Sequence, residues 1–198
     1  MYELVLVSQS PRRKQLLEEA GFIFRTGIVK VSEFIEENLN LGAAIEDVAE
    51  TKAAAWVDIN KHLKSQEILV LSADTIVAFE GNILGKPVDR AEARKTLGLL
   101  SAKTHSVITA FCLWNLGSGR ICKRHHSTEV QFNTLATSEI EAYVASGKPL
   151  DKAGSYGIQE VGERFVKSIK GSYSSVVGLP MELFEKTLAE EGLSVARK

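Results

Sequence analysis

The chain has 198 residues, 44% of them hydrophobic and 25% charged, and its formal net charge at pH 7 is −1. This composition is ordinary for a globular protein, and the length is ample for a buried core. A nearly neutral chain has no global field that would draw it to nucleic acid or to a membrane surface, and no apolar stretch approaches a membrane span, so we expect neither partner.

Strands and helices alternate through the first half of the chain. The apolar run at 2–7 has no basic residues before it, so we interpret it as a strand and not as a signal peptide. The patterns predict strands over 2–7, 22–30, 68–79, 105–116 and 120–135, with a hairpin turn at the Gly-Asn pair 81–82. They predict helices over 11–20, 45–63, 90–100, 138–146 and 181–192, the fourth with a serine cap. Segment 32–40 is predicted as a polar loop, and 147–180 is Gly-rich and irregular. This order is typical of an α/β protein with a mixed sheet, and no linker separates two independent domains.

The cysteines and histidines give no sign of a metal or redox site. Cys112 and Cys122 lie in strand-like segments, so we expect free thiols and a cytoplasmic location. The histidines have no metal-ligand spacing; we interpret His105 as a core or loop residue and the KRHH stretch at 123–126 as a surface feature of a hairpin.

The stretch that follows the first strand, SQSPRRKQLL, is the first candidate for a ligand site. Ser8 and Ser10 offer hydroxyls and free backbone N–H groups, and Pro11 suits the first helical position. Arg12 and Arg13 then project from the first turn. Two hydroxyls, two guanidiniums and the positive end of a helix favour an anion site, phosphate above all. The alternative is an N-cap serine before a solvated, charged helix face.

Asp74 is the second candidate, because it interrupts an apolar strand in LVLSADTIV. A carboxylate there is costly unless it is hydrogen-bonded, paired or bound to a metal. The functional interpretation is a general base or metal ligand at a strand end, and the alternative is a structural Asp satisfied by backbone N–H groups. Thr75 beside it can donate or accept a hydrogen bond. Strand alternation sends the two side chains to opposite faces unless the strand breaks there.

Three further polar residues are candidates with plain structural alternatives. Lys52 lies in the apolar helix AETKAAAW, where it either pairs with phosphate in a cleft or extends its ammonium to solvent. Lys86, in LGKP, is either a ligand or an ordinary turn residue. Gln159 ends the Gly-rich stretch GKPLDKAGSYGIQ, and its amide suits recognition of a nucleobase edge; such Gly-rich segments are otherwise simple loops.

The acidic residues of segment 32–40 would ordinarily lie in a solvated loop. Phosphoryl chemistry, however, uses Mg²⁺ or Mn²⁺, and such hard cations bind carboxylates. One of Glu33, Glu36 and Glu37 could hold an ion together with Asp74.

Seven motifs in order between Ser8 and Pro180 resemble those of the Maf family of nucleoside triphosphate pyrophosphatases. They are SQSPRRKQLL, TKA, SADTIV, LGKP, THSVIT, GKPLDKAGSYGIQ and GSYSSVVGLP. The resemblance implies an elongated α/β fold, similar to that of inosine triphosphatases, with a mixed sheet flanked by helices and two lobes around a central groove. It implies a single domain over 1–198, a divalent metal cofactor (Mg²⁺ or Mn²⁺), and hydrolysis of a nucleoside triphosphate to the monophosphate and pyrophosphate. It also implies a homodimer.

The resemblance assigns a role to each candidate. Asp74 would be the essential acid, as general base or through the metal, and Lys52 and Lys86 would stabilise charge on the phosphates. An acidic metal ligand in the loop after the second strand falls on Glu37 without a gap, and on Glu36 with a one-residue gap. The triphosphate would be bound by Ser8, Ser10, Arg12 and Arg13.

Three positions resemble the branch of the family that prefers dTTP and UTP: Arg12, Thr75 and Gln159. The expected substrates are therefore these nucleotides or modified pyrimidine nucleotides. The chain departs from the family at Lys148, where Glu is usual, and at Ser175, where Asn is common, and both departures concern fine specificity. One alternative is the same reaction on 7-methyl-GTP or another nucleotide. Another is a nucleotide-binding regulator of cell division or septum formation with little catalysis.

Overall fold

The computed structural model describes residues 1–32, 35, 40–63 and 66–198. The strands are β1 (Glu3–Val7), β2 (Phe24–Gly27), β3 (Ile68–Phe79), β4 (Asn82–Leu84), β5 (Thr104–Asn115), β6 (Ile121–Phe132) and β7 (Val166–Lys170). The helices are α1 (Pro11–Glu19), α2 (Leu41–Ile59), α3 (Arg90–Leu100), α4 (Thr137–Ala145), α5 (Ile158–Phe165), α6 (Tyr173–Val177) and α7 (Met181–Glu190). Short 3-10 turns lie at Lys61–Leu63, Lys148–Asp151 and Ala153–Ser155.

Within the described residues, seven strands form one mixed sheet in the order β2-β1-β3-β5-β6-β7, with β4 paired to β3. The predicted α/β class with a mixed sheet flanked by helices is therefore confirmed. The chain divides into two compact units. The first unit comprises Met1–Asp74, Thr109–His126 and Gly178–Lys198, and the second comprises Thr75–Ile108 and Ser127–Val177.

The first unit has a parallel β2-β1-β3 arrangement with apolar side chains on both faces of the sheet. Leu4 and Leu6 of β1 pack in a core cluster with α1 and α7, whereas Val5 and Val7 pack in another with α2. Such two-sided burial explains why β1 and β3 are nearly continuous apolar runs.

The second unit has antiparallel pairs, β3 with β4 and β6 with β7. Aromatic rings form its core at edge-to-face angles: Phe132 lies 4.8 Å from Tyr156 and 6.1 Å from Phe165, and Tyr143 lies 5.5 Å from Phe165, between ring centroids. Such ring pairs stabilise the fold by more than the burial of their apolar surface alone contributes.

Several predicted boundaries shift for identifiable reasons. The helix predicted over 45–63 begins at Leu41, because the Asn40 side chain accepts a hydrogen bond from the Gly42 N–H at 3.0 Å and caps it. The serine cap predicted for α4 is wrong. Ala136 is the cap residue, and its N–H donates to Glu139 at 2.9 Å.

The interpretation of 147–180 as irregular is also wrong in part, because α5, β7 and α6 lie in it. The strand predicted over 22–30 has four residues as β2, and Phe22 makes an isolated bridge with Arg197 instead. None of the helices in the described part of the chain has the length and apolar character needed to cross a membrane.

Candidate active site

The candidate site of the first unit begins where β1 ends. Val7, the last residue of β1, lies opposite Ser72 of the parallel strand β3. The loop of residues 8–13, called the SPRR loop here, therefore leaves the sheet beside the stretch of β3 that leads to Asp74. In open α/β sheets, ligands bind at the carboxyl ends of strands. The pairing thus places the SPRR loop, at the end of β1, beside the middle of β3, where Asp74 lies. The expectation that Asp74 lies at a strand end is wrong, because β3 continues to Phe79.

The SPRR loop is held by its own polar groups. Ser10 is the N-cap of α1, and its hydroxyl accepts from the Arg13 N–H at 3.5 Å. The expectation of free N–H groups at the serines is wrong: Ser8 N–H donates to Gly27 O at 3.1 Å, and Ser10 N–H donates to Ser8 Oγ at 3.1 Å. The capping interpretation of Ser10 is correct, and it leaves a phosphate role for the loop open. Pro11 is the first residue of α1, as predicted.

Arg13 is buried, whereas Arg12 is half-buried. The Arg13 Nε donates to the carbonyl of Gly178 at 2.7 Å, and its Nη1 donates to Ser8 Oγ at 3.3 Å. Through these two hydrogen bonds, Arg13 links the SPRR loop to the segment that leads into α7. Of the two guanidiniums, Arg12 is the more exposed.

Lys52 and Asp74 form the central contact of the site. The Lys52 Nζ donates to Asp74 Oδ1 at 2.6 Å, and the two side chains are only 11% and 12% exposed. A charge-assisted bond of this length fixes the carboxylate in one orientation. The alternative in which Lys52 extends its ammonium to solvent is wrong, because α2 lies against the sheet and directs the ammonium to Asp74.

Ser72, two residues before Asp74, is a site-supporting residue that the sequence reasoning missed. Its hydroxyl donates to the carbonyl of Ala49 in α2 at 2.5 Å and is fully buried. Ile68 and Val70 pack in the α2-side core, so the period-two alternation of β3 puts Ser72 and Asp74 on that same face. The sequence did contain a signal for this role: Ser72 is a second polar residue on the Asp74 face of an otherwise apolar strand.

Thr75 is half-buried on the same uninterrupted strand. Because β3 does not break at residue 74, alternation directs Thr75 to the face opposite Asp74.

Lys86 and Gln159 are both exposed and belong to the second unit. Lys86 lies in the turn after β4, where the carbonyl of Gly85 accepts from the Gly154 N–H at 3.1 Å. Gln159 is the second residue of α5. The LGKP turn and the Gly-rich stretch before Gln159 are therefore in contact, although some 70 residues separate them in sequence.

The Gly-rich stretch contains an ion network around the buried Lys152 that the sequence did not predict. The Lys152 Nζ donates to the Lys148 carbonyl at 2.6 Å, to Asp151 Oδ1 at 2.6 Å and lies 3.1 Å from Glu160 Oε1. Lys148 contributes its backbone carbonyl, so the contact with Lys152 does not depend on which side chain residue 148 carries.

His105 is a core residue, as expected, with 3% of its surface exposed. Its Nε2 lies 2.8 Å from the Tyr156 hydroxyl, and burial lowers the pKa of His105 to about 4. Cys112 and Cys122 are free and buried, as expected, and burial raises the pKa of Cys112 to about 12.

The predicted metal ligand Glu37 and its alternative Glu36 lie outside the described residues, as does Glu33. Among the described residues, no group of three or more His, Cys, Asp or Glu side chains could hold a metal ion. Asp74 is a hard oxygen donor, and Mg²⁺ binds through one or two carboxylates together with substrate phosphates and water. A site built on Asp74 and one loop acid would therefore fit such an ion.

Comparison with known proteins identifies the family of the chain. Residues 3–191 match the family described as Maf-like protein. The chain belongs to the Maf family. It is 46% identical over 187 residues to the dTTP/UTP pyrophosphatase of Bdellovibrio bacteriovorus, covering 94% of this chain and 97% of that protein. It is 44% identical over 194 residues to the dTTP/UTP pyrophosphatase of Bacillus pumilus, covering 98% and 99% of the two chains.

A solved structure, that of a HAM1 protein from Coxiella burnetii, has the same fold. It superposes with a TM-score of 0.52 over 96% of this chain and 100% of its own, at 18% sequence identity.

Proposed function

We propose that this protein hydrolyses dTTP and UTP to the nucleoside monophosphate and pyrophosphate, using a divalent metal ion. The observation that carries the proposal is the buried Lys52–Asp74 contact of 2.6 Å beside the SPRR loop. Its relatives from Bdellovibrio bacteriovorus and Bacillus pumilus are named for this reaction.

In the proposed reaction, water attacks the α-phosphorus and the bond between that phosphorus and the α–β bridging oxygen breaks. Asp74 accepts the proton of the attacking water, and the Lys52 hydrogen bond holds the carboxylate in place for that transfer. Negative charge gathers on the departing pyrophosphate. Cationic groups aimed at that charge lower the barrier, and we assign this role to Arg12, Arg13, Lys52 and Lys86.

The remaining roles complete the proposal. Ser8 and Ser10 bind phosphate oxygens, and Thr75 and Gln159 select the pyrimidine. Asp74 and Glu37 would hold a Mg²⁺ or Mn²⁺ ion, which would supply positive charge to neutralise the phosphates. We propose a homodimer in the cytoplasm, where the free cysteines are stable as thiols and nucleotides are abundant. Sedimentation equilibrium tests the homodimer: a mass of one chain at micromolar concentration contradicts it.

The reaction is tested by pyrophosphate release from dTTP, UTP, CTP, GTP, 7-methyl-GTP and ITP, with and without Mg²⁺ or Mn²⁺. Metal-dependent release from dTTP and UTP is the expected result. Release confined to 7-methyl-GTP or CTP contradicts the specificity, and binding of nucleotides without release contradicts the enzymatic role.

A further inference from the structure

The first turn of α5 carries Gln159 and is held by side chains that have no role in the proposed chemistry. Gly157 is the N-cap of α5, and Gln159 is exposed two residues later. Glu160, the next residue, has both carboxylate oxygens engaged. One oxygen lies 3.1 Å from the Lys152 ammonium, and the other accepts from the Tyr143 hydroxyl at 2.8 Å. Glu160 thus fixes the backbone directly beside Gln159.

The Lys152 ammonium is fully used by this network. Its three N–H groups are matched by three acceptors, on Lys148, Asp151 and Glu160, and its side chain is 6% exposed. A lysine saturated in this way holds its neighbours in place instead of binding a ligand. Its aliphatic stem also lies so close to Gly157 that a Cβ at that position would come within 2.6 Å of the Lys152 Cε.

The Tyr143 hydroxyl links the same turn to α4. It donates to Glu160 and accepts from the Gly157 N–H at 3.1 Å. Burial, and then the bond to Glu160, raise the pKa of Tyr143 above its ordinary value, so the hydroxyl keeps its proton at neutral pH. The bridge therefore joins the N-cap of α5 and its third residue through one rigid ring.

The backbone just before this turn is strained. Ser155 has a φ of 63° and Gly154 a φ of 67°, both in the left-handed region. A non-glycine residue there is costly and persists where the surrounding contacts determine its conformation. A Cβ on Gly154 would also meet Val77 of β3 at 2.8 Å. These contacts therefore fix the backbone conformation of the residues just before Gln159.

We propose that Lys152, Glu160 and Tyr143 are positioning residues that hold Gln159 in the orientation needed to distinguish uracil or thymine from cytosine. The proposal rests on the proposed function, in which Gln159 recognises the pyrimidine. Uracil presents an acceptor and an N–H donor on its pairing edge, and cytosine presents the reverse pattern. An amide has both a donor and an acceptor, so a freely turning glutamine serves either base. A fixed first turn of α5 restricts the positions from which the Gln159 amide can reach the base, and we infer that this restriction favours one pairing pattern over the other.

The test compares kcat/KM for UTP with kcat/KM for CTP in Tyr143→Phe and Lys152→Met. Tyr143→Phe removes one hydroxyl and keeps the ring in its aromatic contacts, so it is the milder variant. We expect the UTP/CTP ratio to fall by about fivefold or more in Tyr143→Phe, which loses the bonds to Glu160 and to the Gly157 N–H. The fall should be larger in Lys152→Met, which loses all three contacts of the ammonium. The matched control is Glu141→Gln, which removes the exposed pairing with Arg94 between α3 and α4. The control is expected to keep the wild-type ratio.

A double-mutant cycle distinguishes an effect on the UTP/CTP ratio that acts through Gln159 from an effect of general loss of rigidity. If the network acts through Gln159, Tyr143→Phe has no further effect on the UTP/CTP ratio in a Gln159→Ala background. An additive effect overturns the proposal, as does a wild-type ratio in a folded Tyr143→Phe protein. An unchanged ratio in Gln159→Ala also overturns it, while UTP hydrolysis by the wild type leaves the proposed function standing. A wild type that hydrolyses no pyrimidine nucleotide overturns both.

Discussion

At the scale of single residues, the buried Asp74 carboxylate depends on the Lys52 ammonium. An unpaired buried charge is costly, so the carboxylate needs an ion partner inside the protein. Lys52 lies 22 residues earlier, and only the packing of α2 on β3 brings the two charges to 2.6 Å. Arg13 is also used within the fold, since its Nε donates to the Gly178 carbonyl and its Nη1 donates to Ser8 Oγ.

Removing Lys52 should affect stability and activity differently. We expect Lys52→Met to lower the free energy of unfolding by about 3 kcal/mol, because it leaves the buried Asp74 carboxylate without its ion partner. Adding Asp74→Asn should recover most of that loss, since the remaining group is neutral, while activity stays absent. Urea unfolding of the two single variants and the double variant measures this. Additive losses of stability would show that the two residues are independent.

His105 should make stability depend on pH. Its folded-state pKa of about 4 lies below the ordinary value of 6.5, so the unfolded chain binds the proton more readily between these values. Stability is therefore fully present above pH 6.5 and falls as the pH drops toward 4. The expected loss is about 2 kcal/mol between pH 7 and pH 5. The difference between wild type and His105→Gln in urea unfolding at the two pH values measures it. The same pH slope in both proteins contradicts the assignment.

At the scale of elements, the helices and strands with strong periodic patterns were predicted well, and those with weak patterns were not. β1, β3, α1 and α3 agree closely with prediction, because each has a long apolar stripe or a clear cap. β7 was missed. It is a five-residue edge strand, VKSIK, whose pairing with β6 depends on residues far away in sequence. α5 was missed because its first residues directly follow Gly154 and Gly157, which are typical of a loop.

A substitution of Ser72 tests how the packing of α2 against β3 depends on its hydrogen bond to Ala49. We expect Ser72→Ala to lower the free energy of unfolding by about 1 kcal/mol, the ordinary value of one hydrogen bond. It should also lower kcat several-fold, because α2 carries Lys52. The matched control is Thr51→Ala, whose hydroxyl bonds to Asp47 O within α2 and has no bond to β3. Equal kcat values in the two variants would contradict a role for Ser72 in placing Lys52.

At the scale of the whole molecule, the order of the motifs carried more information than any one of them. The predicted Maf family and the mixed α/β sheet are confirmed by the family match over 3–191 and by the strand order. The roles of the individual site residues remain predictions. Glu36 and Glu37 lie outside the described residues, and no sequence pattern distinguishes a loop acid that binds metal from one that is solvated.

The most direct test of the account is pyrophosphate release from dTTP by the wild type and by Asp74→Asn, each with saturating Mn²⁺. Thermal unfolding of both proteins serves as the control for folding. We expect metal-dependent release in the wild type and a loss of about 1,000-fold or more in the variant, because a positioned general base contributes on this order. A folded Asp74→Asn protein that releases pyrophosphate at the wild-type rate would contradict the central role of Asp74.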